Sequence, residues 1–361
     1  MYYSKKLREV GVFVYEDSWR PIEAVLARRR YDLIFVEFWQ HAEQFLDTIV
    51  RWQPWARVII DTVDVHFLRE ESGLALGISD GIAVQSRKIR ELAVYRRADV
   101  VLVVTAEDQQ ALQRHGVKSV TVIPNIVDPR MRPAEPRGHD ILFVGGFAHI
   151  PNVDGIRWFA TTIWPDVHAA VPDARLLVIG SDPPPAVEEL GKICGVKVLG
   201  YVADTGIYLD QAAVSVAPLR YGGGMKGKVT EALAAGVPVI ATSIGAQGFG
   251  AESGQHLMVV DSATAFAGAV VKLLRDPIAA ESMGHAGYKM VMSLCSPQAV
   301  SAKVRELLAK NGANKTIRGW PILRWLWRAY VFRAQTLVRA STKRVHWRRI
   351  VQKGAVETPG T

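Results

Sequence analysis

Two cysteines, Cys194 and Cys295, are all that the 361-residue chain contains. So few, set so far apart, exclude a disulfide framework and any paired metal-ligand spacing. They read as plain thiols of a reducing compartment. The opening residues, MYYSKKLREVGVFVYEDSW, lack an apolar core of signal-peptide length. No segment approaches the roughly 20 apolar residues that cross a bilayer. Internal repeats and low-complexity tracts are missing as well. These absences predict a cytoplasmic location, with contact at a membrane surface left open. What the chain has in quantity is apolar surface, 49% of residues, too much for a disordered protein. The length favours two domains over one.

Net charge is missing from most of the chain. The formal charge is +9, but eleven of the 44 Lys and Arg and one of the 35 acids, Glu357, lie from Lys315 onward. That leaves 33 basic against 34 acidic residues in the body. A neutral body argues against a nucleic-acid-binding core and sets the basic tail apart as a separate element.

Short Val/Ile/Leu runs alternate with helical patterns, the signature of parallel α/β architecture with strands covered on both faces. In the first part the predicted strands are 10–15, 31–38, 57–63, 99–104 and 120–125. In the second they are 140–147, 174–180, 196–202, 214–219, 238–243 and 256–261. The Pro-, Arg- and Gly-rich stretch IVDPRMRPAEPRGHD (126–140) reads as a linker between two doubly wound domains.

The stretch RYGGGMKGKVTEALAAGVPVIATS, Arg220 to Ser243, carries the chemistry. Gly222, Gly223 and Gly224 let the backbone approach a ligand closely. They precede a helix beginning near Lys228, whose free N–H groups and partial positive charge favour an anion. Lys226 and Lys228 add mobile cations. Together these predict a phosphate site, against the plainer reading of a flexible turn with solvated lysines. The helix end contributes about 1 kcal/mol and a lysine–phosphate hydrogen bond roughly 1.5–3 kcal/mol, so the lysines should dominate. Glu231, in the first turn, either steadies the helix dipole or accepts from ribose hydroxyls. Gly222, Gly224 and Gly227 also satisfy G-x-G-x-x-G, but VIATSIGAQGFG lacks the acid of a dinucleotide site. A P-loop would need Ser or Thr where Val229 stands, with the hydroxyl of Thr230 one residue out of register.

Several segments in order carry a wider resemblance: RRADVVLVVTAEDQQAL (96–112), VTVIPNIVD (120–128), DILFVGGFAHIPNVDGIRWF (140–159), VLGYVADTGIYLDQAAVSVAPL (198–219), and the glycine loop through GVPVIATSIGAQGF. Over roughly residues 30–310 the chain resembles glycosyltransferase family 4, group 1 glycosyltransferases of the GT-B fold. The resemblance implies two Rossmann-like, doubly wound α/β domains facing a cleft. They would be an acceptor-side domain at 1–127 and a nucleotide-sugar-binding domain at 128–295, with a helix packing back at 296–314 and a tail at 315–361. It implies a donor diphosphate lying against Gly145, Gly146 and the loop Gly222–Gly224, with Lys226 and Lys228 supplying charge, Lys228 first. The second acid of the family's E-x7-E pattern falls on Glu231, set to grip the ribose. The first falls on Gly223, so that contact is missing. The Arg and Lys often found after the first strand of this domain are also missing from GGFAHIPN. In IIDTVDVHFLRE (59–70), Asp64 and His66 match a family His or His-Asp near the sugar or acceptor. No DxD-type metal cluster stands beside the loop. Metal-independent transfer is therefore expected, with no cofactor beyond a UDP- or GDP-sugar donor, and the resemblance implies retention of anomeric configuration.

The family's opening strand and glycine-rich turn are not found. The expectation is either a start lying upstream or a degenerate relative. The tail has four tryptophans across 320–347, with Arg324, Arg328, Arg339 and Lys343 to one side of an imperfect amphipathic helix. It suits an anionic membrane surface through 315–353, and so a glycan or lipid-linked acceptor, or else packing on protein, or a solvated tail. The rival functions are a sugar-nucleotide epimerase of the same fold, a non-catalytic scaffold, and a magnesium-dependent nucleotide hydrolase.

Overall fold

The computed structural model describes residues 2–310, apart from 10, 15–21, 28–29, 75, 78 and 133–137. The basic tail and the readings placed on it lie outside the described residues.

Ten strands form two parallel sheets among the described residues. In the first, β1 (Leu33–Glu37), β2 (Arg57–Asp61), β3 (Val100–Val103) and β4 (Val120–Val122) lie side by side in chain order. The second holds β5 (Asp140–Val144), β6 (Arg175–Ile179), β7 (Val196–Gly200), β8 (Val214–Ala217), β9 (Val239–Ala241) and β10 (Met258–Val259). Its order is β10-β9-β8-β5-β6-β7. The chain leaves β5 in one direction and resumes at β8 on its other side. The carboxyl ends of β5 and β8 therefore flank a switch point, where a doubly wound sheet opens a crevice for ligands.

The strands are short, and the central ones are enclosed on both faces. All four residues of β3 and of β8 are buried. Helix Trp39–Trp52 covers the first sheet with Trp39, Ala42, Leu46 and Ile49, one stripe at helical spacing. Helix Ala263–Arg275 covers the second with Phe266, Val270 and Leu273; the Ser262 hydroxyl caps it, accepting from Ala265 N. Helix Pro297–Lys310 returns to the first sheet, where Val300, Val304 and Leu307 pack against Ile59, Val100 and Leu102. The two sheets are thus tied at both the linker and the C-terminal helix.

One predicted strand is corrected. Residues 11–14 of the stretch 10–15 hold no strand. Gly11, at φ +83°, ends helix Tyr2–Glu9, and the amides of Gly11 and Val12 donate back to Arg8 O and Leu7 O. The apolar run is spent on a helix terminus, and Phe13 is left 69% exposed. The other ten predicted strands are present, each two to five residues long.

Two helical glycines give opposite expectations. A Cβ on Gly284, in helix Pro277–Cys295, would stand 2.2 Å from Gly236 O, a backbone atom that cannot swing aside. A Cβ on Gly268 would meet nothing within 4 Å. Chemical denaturation should show Gly284→Ala destabilising by about 1–3 kcal/mol. Gly268→Ala should be stabilising by roughly 0.5–1 kcal/mol. Equal effects would mean that the helix is not seated on the Gly236 turn.

Candidate active site

The second sheet supplies one wall. After β5 the chain turns at Gly145 and Gly146 into helix Ile150–Trp158. The turn is crowded: a Cβ on Gly145 would lie 2.8 Å from Asn152 Nδ2 and 2.9 Å from Lys228 Nζ. A Cβ on Gly180, after β6, would lie 2.1 Å from Gly145 O. Asn152 bridges this wall, donating from Nδ2 to Gly146 O at 2.8 Å and accepting from Lys228 Nζ through Oδ1. The Lys228 ammonium also sits 4.7 Å from the centre of the Phe143 ring. No carboxylate is paired with it among the described residues. Burial first, and then the charge of Lys226, pull its pKa down to about 7.

After β8 comes the glycine loop, and each glycine answers a different demand. Gly222 has φ +144° and Gly224 φ +65°, both disfavoured for L side chains. At Gly223 the constraint is space. A Cβ there would meet Asp64 Oδ1 at 3.0 Å and Arg69 Cβ at 3.2 Å, both from the first domain. Lys226 is buried and folds back on its own loop, donating to Gly223 O at 2.6 Å and Gly224 O at 2.7 Å. Burial lowers its pKa to about 8, against the pull of the Asp64 and Asp108 charges. Helix Gly227–Ala234 then begins with its N-terminal amides at the loop. Glu231 is solvent-accessible on this helix but hemmed in by the surrounding protein, and that loss of water raises its carboxyl above the usual range. The Thr230 hydroxyl donates to Lys226 O at 3.1 Å and is spent inside the helix.

The first sheet supplies the facing wall from the end of β2. Val63, a β-branched residue, holds φ +60°. Such a conformation costs on the order of 1–3 kcal/mol and persists only where the surroundings enforce it. Asp64 follows. Its Oδ2 accepts from Arg69 Nη1, while its Oδ1 is buried without a hydrogen-bond partner and faces the glycine loop. His66 opens helix His66–Leu74. Trp39 Nε1–H donates to its Nδ1 at 3.2 Å, and Gln40 Nε2 also approaches that nitrogen at 3.0 Å. The neutral ring therefore carries its proton on Nε2. Burial, then Arg69, lower its pKa to about 4, so it stays neutral at physiological pH.

Glu91 mounts this helix. Its carboxylate accepts from His66 N at 2.9 Å, Phe67 N at 3.0 Å and Tyr95 OH at 2.8 Å. Burial raises its pKa to about 7 against those three bonds. Arg87–Glu70 and Lys88–Glu71, each at 2.7 Å, pin the helix to its neighbour Gly81–Tyr95.

The structure thus gathers Gly145, Gly146, Gly222, Gly223, Gly224, Lys226, Lys228, Asp64 and His66 around one cleft, with Glu231 on the helix behind the loop. Sequence reasoning missed Asn152, Arg69, Ser72 and Glu91, and also His149. His149 immediately precedes helix Ile150–Trp158 without a side-chain capping bond, and its pKa is lowered to about 4, first by loss of water and then by the positive charges of Lys228 and Arg69. The GGFAHIPN segment was legible as lacking Arg and Lys; the signal in it was the His and Asn. Among the described residues no group of three or more His, Cys, Asp or Glu is placed to hold a metal ion.

Residues 138–276, the second sheet and its helices, match the family model of group 1 glycosyl transferases. An uncharacterized 44.6 kDa protein in the cps region of Klebsiella pneumoniae is 26% identical over 146 residues, 38% of this chain and 37% of that protein. The alignment thus spans little more than a third of that relative. Among solved structures, sucrose-phosphate synthase from Thermosynechococcus elongatus superposes with a TM-score of 0.66 at 22% identity, over 81% of this chain and 76% of that one. TarM gives 0.65 at 13% identity, over 80% and 57%. The Anabaena protein HepE, solved with UDP, gives 0.62 at 13%, over 80% and 81%. The fold is the GT-B fold of these glycosyltransferases.

The buried Glu91 sets a pH dependence. A carboxyl raised from 4.5 to about 7 binds more protons folded than unfolded between those values. Its stabilising contribution is complete below 4.5 and is lost as pH rises through 7. The stability difference between wild type and Glu91→Gln, from urea unfolding, should shift against wild type by up to about 3 kcal/mol from pH 4.5 to 7.5. A difference independent of pH would mean that Glu91 is ionised throughout.

Proposed function

We propose that the chain is a glycosyltransferase that moves a sugar from a nucleotide-diphosphate donor, UDP- or GDP-linked, to a glycan or lipid-linked acceptor. The observation that carries this reading is Lys228, a half-buried cation at the switch point with an amide and a ring face for partners and a second lysine as its charged neighbour. Enclosing a charge without a counter-charge is costly. A diphosphate would supply the missing anion.

The proposed mechanism uses differential charge. As the glycosidic C–O bond to the donor phosphate breaks, negative charge grows on the departing β-phosphate. Lys228 and the amides that open helix Gly227–Ala234 lie ready for it without reorganising. Gly145, having no side chain, lets its backbone pack directly against Asn152 and Lys228. Glu231 is proposed to accept from ribose hydroxyls. On the facing wall, Asp64 Oδ1 offers a hydrogen-bond acceptor and His66 Nε2–H a donor to the sugar or the acceptor. With its Nδ1 engaged by Trp39, His66 serves as a donor rather than as a base. Retention, independence from added metal, a cytoplasmic site of action and contact of the tail with an anionic membrane belong to the same reading. UDP, the nucleotide bound in the solved complexes of HepE and of the pneumococcal O-GlcNAc transferase GtfA, is the first base to test.

Calorimetry with UDP and GDP tests the core of it. Binding without added magnesium is expected, weakened roughly ten- to hundredfold by Lys228→Ala. Because the free lysine titrates near 7 and a bound diphosphate raises that value, affinity should fall as pH rises above 7. At pH 8 binding should take up a proton, visible in buffers of different ionisation enthalpy. An unchanged affinity in Lys228→Ala would remove this lysine from the site. Donor turnover that yields an epimer without any acceptor would replace the transfer reading.

A further inference from the structure

We propose that Ser72, on the first domain, is a positioning residue for the glycine loop of the second, so that the phosphate-binding conformation is assembled across the cleft. The inference rests on the nucleotide-diphosphate reading for its functional consequence, but its geometry stands apart from it.

Ser72 lies in the last turn of helix His66–Leu74, 150 residues from Gly222. Gly222 N donates to Ser72 Oγ at 2.9 Å. The hydroxyl has one proton and two carbonyls in reach, Arg69 O at 2.6 Å and Gly222 O at 3.2 Å. The nearer one takes it, which gives a relay from Gly222 N–H through the Ser72 hydroxyl to Arg69 C=O. This fixes the first peptide of the loop at the residue where φ is +144°.

The next residue is held by contact. Asp64 Oδ1 and the Arg69 backbone and Cβ fill the space where a side chain at 223 would stand. Lys226 then ties the carbonyls of Gly223 and Gly224 together from within. Three glycines in a row have high conformational entropy, and no side chain of their own restrains them. The restraints come from Lys226 on one side and from helix His66–Leu74 on the other. That helix is rigidly mounted through Glu91, Arg87 and Lys88. The loop amides and the start of helix Gly227–Ala234, where the diphosphate is proposed to lie, are therefore set by a residue of the opposite domain.

The test compares the full-length chain with Ser72→Ala and Ser72→Thr. Hydrogen exchange over peptides covering 220–226, without ligand, reads the seating of the loop. Exchange should quicken in Ser72→Ala, which leaves the buried Gly222 N–H without its acceptor, and stay near wild type in Ser72→Thr, which keeps the hydroxyl. The melting midpoint should move little, because alanine suits a helix interior. UDP or GDP, whichever binds wild type, should bind Ser72→Ala about five- to thirtyfold more weakly, with Thr restoring most of the loss. Unchanged exchange over 220–226 in Ser72→Ala would overturn the proposal, as would faster exchange with unchanged affinity. A wild-type chain that binds neither nucleotide would defeat the preceding section instead, and the exchange comparison would still decide the seating of the loop.

Discussion

A lysine ammonium without a counter-charge is the constraint on which this cleft depends. Among the described residues Lys228 has only neutral partners, Asn152 Oδ1 and the face of Phe143, and a second cation nearby. Such a group keeps its charge only if something anionic arrives; otherwise its pKa falls and it tends toward the neutral amine, and in the free protein the pKa falls. Its surroundings follow from that. Position 145 must be glycine, because Asn152 and Lys228 occupy the space a side chain would need. Lys226 must be satisfied elsewhere, and it is, by carbonyls of its own loop and the charges of Asp64 and Asp108. Two lysines two residues apart thus divide into one that ties its own loop together and one that, among the described residues, has no carboxylate partner.

The opposite wall carries strain rather than free charge. Val63 at φ +60° is tolerated because the residues after it are over-determined: Asp64 is held by Arg69, and the helix that follows is capped by Glu91 and tied to its neighbour by two ion pairs. Those ion pairs alone would each contribute well under about 1 kcal/mol at a surface. Their effect here is geometric, since they fix the direction in which the C-terminal turn of the helix meets the glycine loop. Helix Pro297–Lys310, packed on Ile59, Val100 and Leu102, holds the first sheet to the chain that leaves the second. The two walls therefore face each other through several independent restraints, and the loop lies where they meet.

Much of this architecture was legible in the sequence, because a strand enclosed on both faces must be a run of Val, Ile and Leu. DVVLVV and DILFVGGF announce β3 and β5 in that way. The stretch 10–15 has the same composition and no strand among its described residues, because Gly11 terminates a helix there. Composition cannot tell a buried strand from an apolar helix exit. Within the site, the residues that were legible bear charge or lack a side chain: Lys226, Lys228, Glu231 and the glycines. Those that were not act at a distance. Asn152 meets Lys228 across 76 residues of chain, and Ser72 meets Gly222 across 150. Glu91 looks like any acid on a helix, and only the fold shows that it caps a different helix. The donor character of His66 depended on Trp39, 27 residues away.

The same distance between letter and role explains why familiar glycine motifs fit this loop and mislead. In G-x-G-x-x-G, the glycines serve a tight turn, close approach of the backbone to a pyrophosphate, and helix–strand packing. Here Gly222 and Gly224 are glycines for their backbone angles, and Gly223 for the side chains of another domain. In the P-loop reading, a hydroxyl after the lysine would face a metal-bound phosphate. The hydroxyl at Thr230 is committed to Lys226 O, and Val229 at the required position is buried in the core. A short glycine–lysine string therefore specifies little by itself. The restraints around it decide which amides point outward and which lysine is free. In this chain those restraints come from Asn152 on the loop's own domain and from Asp64, Arg69 and Ser72 on the other, so the specificity of the loop is a property of the cleft as a whole.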